Sequence, residues 1–115
     1  MKLSADPPLV VLATDSEVPS GVGEHMLTLA RALSDGHRVV LAFPPAEEAA
    51  AFLRRGKRSG FEVRPIGSDA AFIHWLKEVA PAVLHVHAGV AWEGHGLANA
   101  GWKAGVPVVR TEHLP

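Results

Sequence analysis

Histidine is where chemistry could begin in this chain. Seven occur among 115 residues, and His85, His87, His95 and His113 fall in or shortly after apolar runs that read as buried strands. An imidazole can ligate a metal, carry a proton near neutral pH or hydrogen-bond a substrate hydroxyl. His87, His95, Glu112 and His113 could converge from two loops on one ion, but ligand spacing across loops carries little specificity, and no metal site is expected. His85 and His87 are expected to leave their strand on opposite faces, which would keep them off a shared ion. His85 then reads as a satisfied core histidine, His37 as a helix-end residue, and His74, beside Trp75, as chemically idle.

The second candidate is a glycine loop, Ser20-Gly21-Val22-Gly23, preceded by Asp15 and Glu17. Such a loop leaves backbone N–H groups at a helix N-terminus, where anions are held. Three familiar ligand schemes fail on particular residues. A dinucleotide fingerprint needs a third glycine where Met26 stands, and an acid at the end of the second strand where Phe43-Pro44-Pro45 stands. A P-loop needs Gly-Lys-Ser/Thr entering a helix, and none is present. A phospho-acceptor receiver needs an acid after the third strand and a lysine ending the fifth; Ile66-Gly67 and Arg110-Thr111 do not supply them.

The elements that must position these groups can be read from the apolar pattern. Leu9–Thr14, Arg38–Phe43, Glu62–Ile66, Val83–His87 and Val106–Thr111 read as strands. Several are nearly continuous in Val, Leu and Ala, the pattern of a parallel sheet covered on both faces. Between them, Val22, Met26, Leu29, Ala30 and Leu33 share one helical face, with Ser20 as N-cap and Gly36 as a left-handed C-terminal residue. A second helix, Ala46 to Arg55, ends in Arg54-Arg55-Gly56-Lys57-Arg58, a solvated basic end that complements the helix dipole. A third places Phe72, Ile73, Leu76, Val79 and Ala80 on one stripe before Pro81. A fourth, about Gly94 to Ala104, puts Gly94, Leu97, Ala98 and Gly101 on one face, small enough to lie close to a sheet. Alternating strands and helices give an α/β, Rossmann-like three-layer sandwich with a five-stranded parallel sheet of order 3-2-1-4-5. Ligands then bind at the carboxyl ends of the strands. That region holds Asp15, Ser16 and Glu17, then Trp92, Glu93 and His95, then Glu112 and His113.

Composition narrows the class. Hydrophobic residues make up 48% and charged residues 20%, with a formal net charge of −1. That is ordinary for one folded domain, and it offers no electrostatic pull on nucleic acid or an anionic membrane. Cysteine is absent, which removes disulfides, thiol nucleophiles and cysteine–zinc sites, and fits a reducing compartment. Met1 to Pro8 has no apolar core of a secretory leader, and no apolar run approaches the roughly 18 residues of a membrane span. A cytoplasmic location is the expectation. The chain reads as a single partial domain, residues 1–115, apparently truncated after its fifth strand. Exposed apolar surface near Val106–Pro115 and the open sheet edge are expected to support homo-oligomers.

Three segments in register carry a resemblance. The loop, helix and turn from Ser20 to Leu33, followed by Gly36-His37-Arg38-Val39, resemble the N-terminal half of GT-B glycosyltransferases, most closely the family-4 group of retaining, nucleotide-sugar-dependent enzymes. Pro81-Ala82-Val83-Leu84-His85-Val86-His87 is similar to the family's "DVVHxH" strand, with Ala82 where an acid is common. Gly105-Val106-Pro107-Val108-Val109-Arg110-Thr111-Glu112-His113 is similar to its "GxPvVxTxH" strand. The resemblance implies that Gly21 and Gly23 bring backbone amides to the donor diphosphate. It implies that His113 lies near the donor sugar, that His87 lines the cleft as the second catalytic candidate, and that Asp15, Glu17, His25 and Glu112 face the acceptor side. It implies no cofactor beyond the nucleotide-sugar substrate. It also implies a second nucleotide-holding domain or partner subunit, without which the chain is expected to be inactive. The rival reading is a non-catalytic α/β binding module.

Overall fold

The structure, a computed structural model, describes residues 6–113. Residues 1–5 and Leu114-Pro115, which belong to the leader and oligomer expectations, lie outside the described residues. In chain order the elements are β1 (Leu9–Ala13), α1 (Ser20–Leu33), β2 (Arg38–Phe43), α2 (Glu47–Arg58), β3 (Glu62–Pro65), α3 (Asp69–Val79), β4 (Val83–Ala88), α4 (His95–Ala104) and β5 (Val108–Glu112). The sheet has the order β3-β2-β1-β4-β5, and every neighbouring pair is parallel. This is the α/β, Rossmann-like arrangement that the alternating pattern implied. No helix among the described residues is long and apolar enough to cross a membrane.

Two apolar layers hold the sheet. On one face Val10, Leu12, Val39, Leu41 and Phe43 meet Val22, Met26, Leu27 and Ala30 of α1 and Ala49 and Phe52 of α2. On the other, Val11, Ala13, Val40, Ala42, Leu84 and Val86 meet Phe72 and Leu76 of α3 and Leu97 and Ala100 of α4. Strand residues alternate between the two layers, and both layers are apolar, which is why β1 and β2 read as unbroken hydrophobic runs. Gly101 lets α4 rest directly on the sheet: a Cβ there would lie 2.5 Å from Val108 Cγ2 and 2.9 Å from Leu84 Cδ2.

Several helix boundaries differ from expectation for local reasons. Ser20 is not a cap but the first residue of α1; the cap position is Pro19, with no side-chain cap bond. Ser20 instead adopts a positive φ of 46°, a strained conformation for a residue with a Cβ. Gly36 is not left-handed: α1 ends at Ser34 in right-handed geometry, and Gly36 N donates to Leu33 O. His37 does close that helix end, with Nδ1 donating to Leu33 O at 3.2 Å. Helix α2 continues through Gly56 to Arg58, because Gly56 lies on the sheet where a Cβ would stand 3.0 Å from both Leu41 Cδ1 and Val63 Cγ1. On α3, Ala80 leaves the stripe and caps the helix in the left-handed region. On α4, Ala100 rather than Ala98 joins the buried face.

Strand β5 is an edge. Val106 is buried under the sheet end and Val109 is half-exposed, so the apolar surface expected across Val106–Pro115 reduces, among the described residues, to the Val109 side of one strand.

Candidate functional site

Strands β1, β4 and β5 end side by side, and the N-terminal turn of α1 lies next to them. The loop after β1 and the loop after β4 form the two walls of a cleft of ≈ 900 Å³, lined by Asp15, Glu17, Ser20, Gly21, Trp92 and His113 among others. This is the carboxyl edge of the sheet beside β1 and β4, where chain order reverses direction across the sheet and open α/β folds hold their ligands.

Hydrogen bonds from the loops fix both walls. Thr14 is fully buried and its Oγ1 accepts from Ser16 N at 3.1 Å, turning the chain out of β1. The Asp15 carboxylate then reaches across the cleft floor and accepts from Gly94 N at 2.9 and 3.0 Å. Gly94 has a φ of 83° and would place a Cβ 2.8 Å from Val86 Cγ1, so only glycine fits this entry into α4. Glu93 Oε1 accepts from Gly89 N at 2.7 Å and Val90 N at 3.2 Å, closing the β4 loop on itself. Arg110, projecting from β5, donates to Glu93 O and Ala91 O and pairs with Glu112 at 3.3 Å. Held this way, the loop presents Trp92 to solvent at the cleft rim with 78% of its surface exposed.

The histidines sit at the base of the cleft. His85 and His87 do not point to opposite faces, because residues two apart on a strand share a face; their ring centroids are 4.0 Å apart. That face is the α1 side of the sheet, as the register Leu12↔His85 requires. His85 is only partly buried and its Nε2 meets Thr111 Oγ1 at 2.7 Å on the neighbouring strand, so it is a cross-strand partner rather than a core residue. His87 is fully buried; its Nδ1 lies 2.9 Å from His113 Nε2, and its Nε2 has no partner among the described residues. His25, on the first turns of α1, completes the group with ring centroids 4.7 Å from His113 and 5.7 Å from His87.

Burial and mutual repulsion favour the neutral form of His85, His87 and His113. Burial pushes His87 down to about 3, reinforced by the charges that His85, His113 and His25 would carry. Burial also lowers His85, with His113 and His25 adding to the effect, and it lowers His113, with His25 adding. A neutral His113 offers one N–H and one lone pair. The bond between His87 and His113 needs one nitrogen to donate and the other to accept, so the proton on one ring sets the tautomer of the other.

Against the sequence reading, the structure brings Asp15, Glu17, Gly21 and His113 to one cleft, and His25 and His87 immediately behind it. His87 is not a cleft-lining group; it stands behind His113 and orients it. Glu112 is turned to Arg110, and His95 bonds Ala91 O at 2.8 Å on the exposed start of α4. Neither joins His87 and His113, so the expected four-residue convergence does not form. Gly23 also has a different task. It is buried between helices, a Cβ there would stand 2.6 Å from the Phe52 ring, and its N–H already bonds Pro19 O. Gly21 has open space around its absent Cβ and lines the cleft. The anchoring roles of Arg110 and Glu93 were not visible in the sequence, where Glu93 read only as a group at the carboxyl edge of the sheet and Arg110 only as the end of the fifth strand. The membership of His25 was hinted by its spacing: it follows Gly21 by one helical turn, on the same face.

With this geometry in place, residues 19–115 match the family model of Glycosyltransferase Family 4. No curated protein matches the chain. The match spans most of the chain, including every element from α1 onward. The chain belongs to glycosyltransferase family 4.

Proposed function

We propose that this family-4 chain supplies the acceptor-side half of a sugar-transfer cleft, in which a nucleotide-sugar donor passes its sugar to an acceptor hydroxyl. The observation that carries the reading is the meeting, in one cleft, of Gly21 at the start of a 14-residue helix with the neutral His113 at the strand ends. Leaving-group departure places negative charge on a diphosphate. Backbone N–H groups and the positive end of a helix stabilise such charge, and Gly21 lets a phosphate approach where a side chain would obstruct it. His113, held by His87, can bond a sugar hydroxyl without competing for the phosphate as a cation would. Glu17 and Trp92 face the open side of the cleft and suit an acceptor: a carboxylate for hydroxyls and an indole for the flat face of a ring. Asp15 is a wall-positioning residue in this scheme, because Gly94 N occupies its carboxylate.

The nucleotide is, by resemblance, the work of a second domain or partner subunit, so turnover requires that half. Titration of the ¹⁵N-labelled chain with a nucleoside diphosphate and with inorganic diphosphate tests the reading. The amide signals of Ser20 and Gly21 and the ring signals of His113 are expected to move together, with no sugar released from a nucleotide-sugar. Shifts confined to other surfaces would favour a non-catalytic binding module, and turnover by this chain alone would overturn the need for a second half.

A further inference from the structure

The three rings at the base of the cleft meet a requirement that sugar transfer does not make of them. His25 of α1, His87 of β4 and His113 after β5 each offer a nitrogen, and these three nitrogens lie within 4.8 Å of one another. Around a zinc ion with N ligands at about 2.0–2.1 Å, tetrahedral geometry places the nitrogens roughly 3.3–3.4 Å apart. One pair, His87 Nδ1 and His113 Nε2, is 2.9 Å apart, so its spacing must open by only a few tenths of an ångström to admit an ion. His25 is exposed and can swing on its own χ angles, while His87 is fixed by complete burial.

We propose that His25, His87 and His113 form a binding site for a borderline-soft divalent cation of the zinc class, with its fourth position open to the cleft. Three imidazoles from three different elements, one rigid and two adjustable, make a donor set that suits zinc, nickel and copper and discriminates against magnesium and calcium, which prefer oxygen. Protein ligands on three positions with the cleft on the fourth is the arrangement of zinc sites that accept an exogenous ligand. His85 stands beside His87 and bonds Thr111, which leaves it outside the ligand set. Occupation would withdraw His113 from a sugar hydroxyl. An ion and a donor sugar therefore compete for this histidine, although the site itself stands on geometry alone and does not rest on the sugar-transfer reading.

The experiment uses tag-free, metal-stripped chain titrated with zinc chloride by calorimetry, and with cobalt(II) chloride by visible absorption. One ion per chain is expected, with the intense visible bands of four-coordinate cobalt. His25→Ala and His113→Ala should each weaken binding by at least roughly 10- to 100-fold, the loss that even a hydrogen-bonding partner of a metal ligand produces. His74→Ala and His95→Ala, exposed and outside the ligand set, should leave it unchanged. The proposal is overturned if no ion binds, if either His25→Ala or His113→Ala retains full affinity, or if His74→Ala or His95→Ala abolishes binding. Circular dichroism of each variant separates loss of a ligand from loss of fold.

Discussion

Acid should unfold this protein through His87 earlier than through its carboxylates. The folded state holds this ring neutral down to about 3, whereas in the unfolded chain it titrates near its ordinary value of about 6.5. The native pKa is depressed, so the effect is absent above pH 6.5. Below that value the unfolded state binds a proton that the folded state refuses. Stability then falls by about 1.4 kcal/mol per pH unit and levels off only near pH 3. Between pH 7.5 and 4.5 His87 alone accounts for about 2.5 kcal/mol, a large share of the roughly 5–15 kcal/mol by which domains are stable. Urea unfolding followed by far-UV circular dichroism and tryptophan fluorescence at several pH values, with EDTA present, measures this. His87→Gln is the matched comparison, because a glutamine keeps polar atoms in the site and cannot titrate. The wild-type curve should drop more steeply than that of the variant by about that same 2.5 kcal/mol, with the carboxylates and the other histidines common to both. Parallel curves agreeing within about 0.5 kcal/mol, or a His87 ring titrating near 6.5 by NMR in the folded chain, would refute the reasoning.

Three further outcomes are expected. Gly23→Ala should destabilise the chain by about 1–3 kcal/mol through overpacking against Phe52, with Phe52→Leu restoring part of the loss, while Gly21→Ala should leave the unfolding midpoint almost unchanged and weaken diphosphate binding; urea midpoints and the amide titration read the two effects separately. Asp15→Ala should cost about 1.5–3 kcal/mol, the worth of a charge-assisted bond to Gly94 N, and should raise hydrogen exchange in the 89–94 loop ahead of the sheet. Light scattering on concentrated protein should show self-association through the β5 edge, and a charge placed at the exposed Val109 (Val109→Lys) should reverse it, since edge strands are blunted in this way.

Much of the fold was legible because it depends on periodicity alone. Leu9–Ala13 and Arg38–Phe43 announced strands buried on both faces, and Gly101 and Leu97 announced a helix lying close to a sheet. Strand order followed from alternation of elements and the rules for crossovers. The helix ends were less legible, since Ser20 and Gly36 carry cap chemistry that the tertiary path does not use. In the site, Gly21 and His113 were identifiable as cleft-facing from their places at a helix start and a strand end. Asp15 and Glu17 were placed at the cleft correctly, but the partner of Asp15 is 79 residues away in sequence, and no local pattern encodes that bond.

What the sequence by itself determined is therefore the layer order, the family and the edge of the sheet that carries the cleft. Backbone propensity and hydrophobic burial act over a few residues or along one face, so a linear reading captures them. What only the tertiary structure decided is which polar groups spend themselves on the scaffold and which remain available. Asp15, Glu93, Glu112 and Gly23 are consumed by Gly94, the β4 loop, Arg110 and Phe52. His25 is recruited from a helix to stand with His87 and His113. Those outcomes depend on distances between elements remote in the chain and on the burial that neutralises His87, and both arise only when the two apolar layers have closed on the sheet.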